Sequence, residues 1–125
     1  MSNATHITLS LACDPHLARI VRMTAANVAT LSSMSVERVE DIRMAAEEAF
    51  IYACSSTPGE SLSIAFDADA ARVSMAFTLS SDEFPEPEQG DMTATYADLI
   101  LGSVCDSYKK QTAPATLLLD VKADV

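Results

Sequence analysis

Positive charge is scarce in this chain. Its 125 residues include eight lysines and arginines against eighteen aspartates and glutamates, which gives a formal net charge of −10. Because the phosphate backbone of a nucleic acid repels such a surface, the composition argues against nucleic-acid binding. Charged residues make up 21% of the chain and hydrophobic residues 49%, which is ordinary for a folded protein and wrong for a disordered one. At this length we expect one domain with a single core.

Cysteine, histidine and long apolar runs are also scarce. Cys13, Cys54 and Cys105 are widely spaced, odd in number and form no C-x-x-C pair. We therefore expect buried thiols in a reducing cytoplasm rather than a disulfide framework or a zinc knuckle. His6 and His16 lie outside any cysteine or carboxylate pattern, so no metal site is expected. Without a run of about 18 apolar residues, or a basic segment leading into an apolar one, we expect no membrane span and no signal peptide.

Hydrophobic periodicity in the first half of the chain predicts a strand followed by two helices. Residues 5–11 alternate between apolar and polar, as in a half-buried strand. Apolar residues at three- and four-residue spacing then predict an amphipathic helix over 17–31. Ser35 is typical of a helix N-cap and predicts a second, longer helix that continues to about residue 55.

The second half of the chain predicts strands with one helix between them. Residues 62–66 and 73–79 alternate as two strands of an antiparallel hairpin. The segment SSDEFPEPEQGD, residues 80–91, has five acids, two prolines and no periodicity, and predicts a solvated loop. A helix over 96–107 and a strand over 117–121 complete the order β-α-α-β-β-α-β. This order favours an α+β fold, a two-layer α/β sandwich with a mostly antiparallel sheet and helices on one face.

A likeness to a known family covers residues 20–53, IVRMTAANVATLSSMSVERVEDIRMAAEEAFIYA. This stretch resembles the anti-sigma factor serine kinases of bacteria, which belong to the histidine-kinase-like (Bergerat) ATPase superfamily. The likeness depends on Arg22, on Val39, Glu40, Asp41 and Ile42, and on Ala45, Glu48, Ala49 and Ala53. The predicted third helix and final strand also fit, so the resemblance covers nearly the whole chain and implies that fold.

The first departure from the family lies in the second helix. In the family a glutamate and an asparagine four residues later face the nucleotide together, because that spacing puts both on one helical face. The asparagine oxygen is a ligand for Mg²⁺, and the glutamate orients or deprotonates the attacking hydroxyl. Here Glu48 matches the glutamate, but Tyr52 stands at the asparagine position. We interpret Tyr52 as a plug of the former nucleotide site and Glu48 as a catalytic remnant at its rim, with Glu47 facing solvent.

Two further nucleotide-binding motifs are altered. The family has D-x-G-x-G after a strand, where the aspartate accepts the adenine amino group and the glycines allow close backbone approach. Leu79 stands at the aspartate and Ser81 at the first glycine, and Asp82 lies three residues late. The glycine-rich turn before the third helix is replaced by a sequence with Thr95 and Ala97 at the matching positions. Side chains there would obstruct phosphate binding by backbone N–H groups.

The resemblance also implies a partner-binding surface on the first helix. The arginine that matches Arg22 contacts acidic groups of a sigma factor or of its antagonist, as suits the bidentate bonds of a guanidinium. The alternative for Arg22 is an ion pair with Glu40 or with another acid of the second helix. Arg19, one turn earlier, could serve either role.

Together these features predict an anti-sigma-factor-like regulatory protein that works by protein–protein binding with an eroded ATP site. We expect it to be cytoplasmic and homodimeric, with a sigma factor or an anti-anti-sigma factor as partner and with neither nucleic acid nor membrane bound. No cofactor is expected; ATP and Mg²⁺ would be the cofactors if the family activity were retained. Two alternatives stay open: an active ATP-dependent serine/threonine kinase in which a residue such as Asp82 substitutes for the lost aspartate, and a non-catalytic scaffold with unrelated partners.

Overall fold

The computed structural model describes residues 4–125, and within that range it contains a five-stranded sheet and three α-helices. The elements in chain order are β1 (Thr5–Ala12), a 3₁₀ turn (Pro15–Leu17), α1 (Ala18–Ala29), α2 (Val36–Ser56), β2 (Ser61–Ala68), β3 (Arg72–Thr78), α3 (Thr93–Val104), β4 (Ser107–Gln111) and β5 (Thr116–Lys122). Neighbouring strands are antiparallel throughout, in the order β1-β2-β3-β5-β4. The prediction of an α+β fold with an antiparallel sheet is confirmed.

One face of the sheet carries the core. Along β2, Leu62 and Ile64 are buried, whereas the intervening Ser63 is only half-buried. Strands β3 and β5 repeat this alternation, and the helices pack on the buried side, α1 against β2 and α2 against β3 and β5. We call the opposite side the free face; among its residues are Ser63, Ala65, Ser74, Ala76, Thr78 and Leu118. This is the arrangement of a two-layer α/β sandwich.

The ends of α2 follow from local sequence signals. Ser35 has extended backbone geometry, and its hydroxyl accepts a hydrogen bond from the backbone N–H of Arg38 at 3.1 Å, as an N-cap does. The helix then runs for 21 residues. After it, Gly59 has a φ of +75°, a left-handed conformation that glycine adopts without strain. The prediction of Ser35 as the N-cap is confirmed, and the predicted helix end at about residue 55 is one residue short of Ser56.

Alanines allow α1 and α2 to pack closely. Side chains without exposed area include Ala25 and Ala29 of α1 and Ala45, Ala46, Ala49 and Ala53 of α2. Small residues at a helix–helix contact let the two backbones approach each other, because no long side chain holds them apart. Since this contact fixes α2 against α1, the adjacent positions Glu48 and Tyr52 are held on a rigid element.

The structure corrects the region after residue 92. The helix predicted over 96–107 spans Thr93–Val104 instead, and a strand that the sequence patterns did not predict, β4, follows it. Strand β4 pairs with β5 at the edge of the sheet, with Tyr108 and Lys110 on the core side. An edge strand of this kind is polar and lacks the apolar alternation by which strands are recognised.

Most of the large apolar side chains that stay exposed lie on the helices. They include Ile20 and Met23 on α1, Met44 and Ile51 on α2, and Tyr96 and Leu99 on α3. None of the helices in residues 4–125 combines the length and apolarity that crossing a membrane requires. Exposed apolar side chains of this kind are candidates for contact with a partner or a ligand.

Candidate functional site

Tyr52 is packed inside the protein on the α2 face to which the family resemblance assigns the nucleotide. It is 5% exposed. Its ring stacks on that of Phe84 from the loop before α3, with ring centroids 5.6 Å apart and ring planes at 24°. Aromatic pairs in such a stacked arrangement are favourable beyond the area they bury. The side chain that replaces the family's asparagine therefore has an aromatic partner of its own.

Lys110 of β4 holds the polar end of Tyr52. Its Nζ donates to the Tyr52 hydroxyl oxygen at 3.1 Å and to Oδ2 of Asp98, on α3, at 3.2 Å. The same Nζ lies 5.1 Å from the ring centroid of Tyr52 and 5.5 Å from that of Phe84, within cation–π range. Burial lowers the pKa of Lys110, but the hydrogen bonds to Tyr52 and Asp98 outweigh it, so the pKa is raised overall. The ammonium group therefore stays charged.

Asp98 joins this lysine to a second tyrosine. The Tyr108 hydroxyl donates to Oδ1 of Asp98 at 2.7 Å. Burial raises the pKa of Tyr108, and the bond to Asp98 raises it further, so the phenol remains a donor. We call these residues the Tyr52 cluster; its members are Tyr52, Phe84, Asp98, Tyr108 and Lys110. In residues 4–125 no fully buried side-chain nitrogen or oxygen lacks a hydrogen-bond partner, so the cluster is satisfied internally.

Glu48 lies one turn before Tyr52 on the same helical face and is half-buried. Burial raises the pKa of its carboxyl group, and the neighbouring charge of Glu47 raises it further. The Tyr52 hydroxyl is bonded to Lys110 rather than to Glu48. A raised carboxyl pKa suits a general base, but this carboxyl has a tyrosine beside it where the family has a metal ligand.

Leu79 and Ser81 are engaged with the segment that precedes β5. Leu79 is 3% exposed, and its N–H donates to the carbonyl of Ala115 at 2.9 Å. The carbonyl of Ser81 accepts from the N–H of Ala115, also at 2.9 Å, and the Ser81 hydroxyl donates to the carbonyl of Glu83 at 2.8 Å. The backbone at both positions is thus paired within the protein, and the buried side chain of Leu79 offers no acceptor for an adenine amino group.

A small cleft remains between the end of α2 and the loop, and its walls are acidic. It measures about 250 Å³, and its lining includes Glu86, Glu88 and Asp91 but no lysine or arginine from the described residues. Oδ1 of Asp91 accepts from the N–H of Thr93 at 2.9 Å, at the start of α3, and the hydrogen bonds from Thr93 lower the pKa of Asp91. A carboxylate therefore already occupies a backbone donor at the N-terminus of α3, the kind of group that binds phosphate at helix N-termini.

Sequence reasoning identified Tyr52 but missed its partners. Asp98, Tyr108 and Lys110 come from α3 and from a strand that the patterns did not reveal, and Lys110 is 58 residues from Tyr52. Phe84 could have been found, because it is the one aromatic residue in the polar segment SSDEFPEPEQGD. A large apolar side chain in such a loop is expected to anchor it to the core.

An ion pair joins α1 and α2 on the surface. Nη1 of Arg22 donates to Oε1 of Glu47 at 2.8 Å, and the two side chains are 36% and 33% exposed. Glu40 pairs instead with Arg43, one turn further along α2. The ion pair with an acid of the second helix, one of the two alternatives for Arg22, is therefore present, with Glu47 rather than Glu40 as its partner. The expectation that Glu47 faces solvent is wrong, since its carboxylate is paired and its side chain is one-third exposed. A guanidinium carries five N–H donors, so Arg22 keeps donors for a further acceptor.

Two open cavities meet at Arg19, Arg22 and Glu47. Arg19 is exposed and makes no ion pair with any residue of the described range 4–125. The first cavity, which we call the α1–α2 groove, measures about 560 Å³ and continues along Met23, Asn27, Glu40, Arg43 and Met44. The second, which we call the Cys13 pocket, measures about 600 Å³ and extends the other way along Cys13, Pro15, Phe50, Ile51, Cys54 and Pro58.

Residues 4–125 contain no group of three or more histidine, cysteine, aspartate or glutamate side chains placed to hold a metal ion. Nδ1 of His6 lies 2.7 Å from Oδ1 of Asp67, and Nδ1 of His16 lies 3.1 Å from Oδ1 of Asp14. Each histidine thus bonds a single neighbouring carboxylate.

The two regions differ in what they can do chemically. The Tyr52 cluster uses its polar groups internally, whereas Arg19 and Arg22 present cationic donors beside exposed apolar side chains, a combination that suits binding of an acidic molecule. No protein-family model matches this chain, and no curated protein matches it either.

Proposed function

We propose that this chain is an anti-sigma-factor-like regulatory protein that acts by binding other proteins and does not turn over ATP. The observation that carries the proposal is the stacking of Tyr52 on Phe84 under the ammonium group of Lys110. This packing occupies the face of α2 on which the resembled family binds Mg²⁺ and phosphate. A phenol is a poor Mg²⁺ ligand, and this one already accepts a hydrogen bond from Lys110.

The other parts of a nucleotide site support the same conclusion. The buried side chain of Leu79 cannot accept a hydrogen bond from adenine. The cleft beside Tyr52 is lined by Glu86, Glu88 and Asp91, which repel phosphate. In this proposal the positions that would bind Mg²⁺, adenine and phosphate are all closed, so ATP has none of the contacts it needs.

The surface around Arg19 and Arg22 supports the binding role. It combines guanidinium donors with the exposed apolar side chains of Ile20 and Met23, and it lies in a chain whose net charge is otherwise strongly negative. A partner with acidic and apolar side chains matches it, which agrees with a sigma factor or an anti-anti-sigma factor. In this proposal the protein works in the cytoplasm as a homodimer, and the concentration of its partners governs binding.

The partner assignment is tested by measuring binding of the purified chain to each sigma factor and anti-anti-sigma factor of its host by biolayer interferometry. We expect at least one to bind, and Arg19→Glu to weaken that binding by about tenfold or more because it reverses an exposed charge on the surface. Lys109→Glu, the same charge reversal on the free-face side of β4, is the matched control and should leave the affinity unchanged. Binding of none of these proteins, or equal loss in both variants, would count against the proposal.

An active kinase is the second candidate, because the raised pKa of Glu48 is a property of catalytic bases. Isothermal titration with ATP and Mg²⁺ separates the two: we expect no saturable heat, whereas the kinase requires micromolar binding. Tyr52→Asn restores the asparagine of the family and sharpens the test. We expect this variant to bind no nucleotide either, since Leu79 and Asp91 remain unchanged. ATP binding by the wild-type chain would overturn the proposal.

A further inference from the structure

The Cys13 pocket has the size and the walls of a small-molecule site. Its volume of about 600 Å³ falls within the range of roughly 300–1,000 Å³ that is usual for ligand pockets. Phe50, Cys13 and Cys54 form buried parts of the wall, while Ile51, on the same helix, is exposed to solvent. Pro15 and Pro58 also line the pocket and are exposed, so these prolines and Ile51 supply the apolar surface that a ligand can reach.

The two cysteines belong to the apolar wall. Burial, together with the smaller effect of the adjacent Cys13, raises the pKa of Cys54 to about 12, so its thiol is uncharged at neutral pH. Cys13 Sγ lies 3.6 Å from the hydroxyl oxygen of Thr57, which gives it a polar neighbour within the protein. Uncharged thiols of this kind behave as small apolar groups, so the wall favours a hydrocarbon or aromatic ligand body.

The opening of the pocket is cationic, although the whole chain is acidic. Arg19 and Arg22 line it, and Glu47 is the one carboxylate among its lining residues. Arg22 shares one donor atom with Glu47, while Arg19 makes no ion pair in residues 4–125. The ion pairs that engage the other arginines are Arg38 with Asp41 and Asp106, Arg43 with Glu40, and Arg72 with Asp120. Unused guanidinium donors are therefore concentrated at the edge of an apolar pocket.

We infer that the Cys13 pocket binds a small organic acid, with its apolar body against Pro15, Ile51 and Pro58 and its carboxylate on Arg19 and Arg22. A guanidinium pairs with a carboxylate through two parallel hydrogen bonds, which fixes the orientation of the ligand. A ligand with several phosphates suits the pocket less well, because the apolar wall would desolvate charges that two arginines cannot neutralise. The site shares Arg19 and Arg22 with the proposed partner surface, but ligand binding is measured on the chain alone, so either proposal can fail without the other.

Octanoate is a suitable probe because it joins one carboxylate to an apolar chain. We expect saturable binding by isothermal titration at low ionic strength, with a Kd below about 1 mM. In a ¹H–¹⁵N NMR titration, the largest shift changes should fall on Cys13, Ile51 and Cys54. 1-Octanol, which has the same chain without the charge, should bind at least about fivefold more weakly, because the arginines then have no carboxylate to pair with.

Two arginine variants locate the site. Arg19→Gln should weaken octanoate binding by about fivefold or more without unfolding the protein, because Arg19 is exposed and has no ion pair to lose. Arg43→Gln removes an arginine that lines the α1–α2 groove but not the Cys13 pocket, and it should leave binding unchanged. The inference is wrong if octanoate gives no saturable binding, if octanol binds equally well, or if both variants behave alike.

Discussion

Replacing Tyr52 by alanine measures how firmly the Tyr52 cluster is packed. Removing a buried aromatic side chain costs about 3–5 kcal/mol of unfolding free energy, because apolar contacts are lost and a cavity is left. The lower end of this range of unfolding free energy applies here, because Phe84 and Lys110 lie near the surface and can move into the space that the ring of Tyr52 vacates. Alanine recovers roughly 0.5 kcal/mol through its higher helix propensity. We therefore expect a loss of about 2.5 kcal/mol in the free energy of unfolding, and a melting temperature about 10 °C lower for a domain of this size.

The chain provides a matched control for this substitution. Tyr96 is also a helical tyrosine, but it is 59% exposed on α3, so Tyr96→Ala should change stability by no more than about 0.5 kcal/mol. Tyr52→Phe keeps the ring and removes only the hydroxyl that accepts from Lys110, which should cost about 1 kcal/mol. Urea denaturation followed by circular dichroism gives all three values.

The reasoning is refuted if Tyr52→Ala loses less than about 1 kcal/mol, or no more than Tyr96→Ala. Either result would mean that the ring of Tyr52 is not packed as described and that the space beside Glu48 is open. The proposal that a nucleotide site has been closed and catalysis lost would then have no physical basis.

Three further predictions concern the N-cap Ser35, the raised pKa of Glu48, and the buried thiols of Cys54 and Cys105. Ser35→Ala removes the hydroxyl that caps α2 and should cost about 1 kcal/mol in urea unfolding, whereas an unchanged midpoint would mean that the cap is unimportant. The pKa of Glu48 is raised in the folded protein, so stability falls as the pH rises from 4.5 through that raised pKa, and the loss is complete above it. Glu48→Gln should therefore raise the melting temperature near pH 7. This gain should disappear below pH 4.5, the ordinary pKa of a glutamate, because Glu48 is then protonated in the unfolded chain as well as in the folded protein. The exposed Glu83→Gln is the control, and a gain that does not depend on pH would contradict the assignment. Burial raises the pKa of Cys54 and Cys105 to about 12. Iodoacetamide should therefore modify these thiols more than about 100-fold faster in urea than in the folded protein, as followed by mass spectrometry. Equal rates of modification would show that the two thiols are accessible in the folded protein.

Much of the fold could be predicted because its signals are local. Ser35 acts as an N-cap within one helical turn, and the alternation along β2 and β3 requires only a sheet with one buried face. Strand β4 could not be predicted, since it pairs at the sheet edge and its residues follow no apolar alternation. Its absence from the prediction also extended the third helix beyond Val104.

The candidate site was predictable only in part. The four-residue spacing of Glu48 and Tyr52 follows from helical geometry, so their shared face was foreseeable. The choice of Phe84 and Lys110 as partners depends on how the loop and β4 fold back onto α2, which is tertiary information that no local pattern contains. The same limit applies to Arg22, for which the sequence offered several acids of α2 and the packing of the two helices selected Glu47.

The free face of the sheet limits how this molecule can assemble. Apart from Leu118, its central side chains are small or polar, so a second molecule placed over it would remove little apolar area from water. Most of the large exposed apolar side chains of the sandwich lie on its helices instead. Stable association must therefore use the helical layer, or backbone hydrogen bonds along the outer edges of β1 and β4. In either case one flat side of the complex remains in contact with solvent.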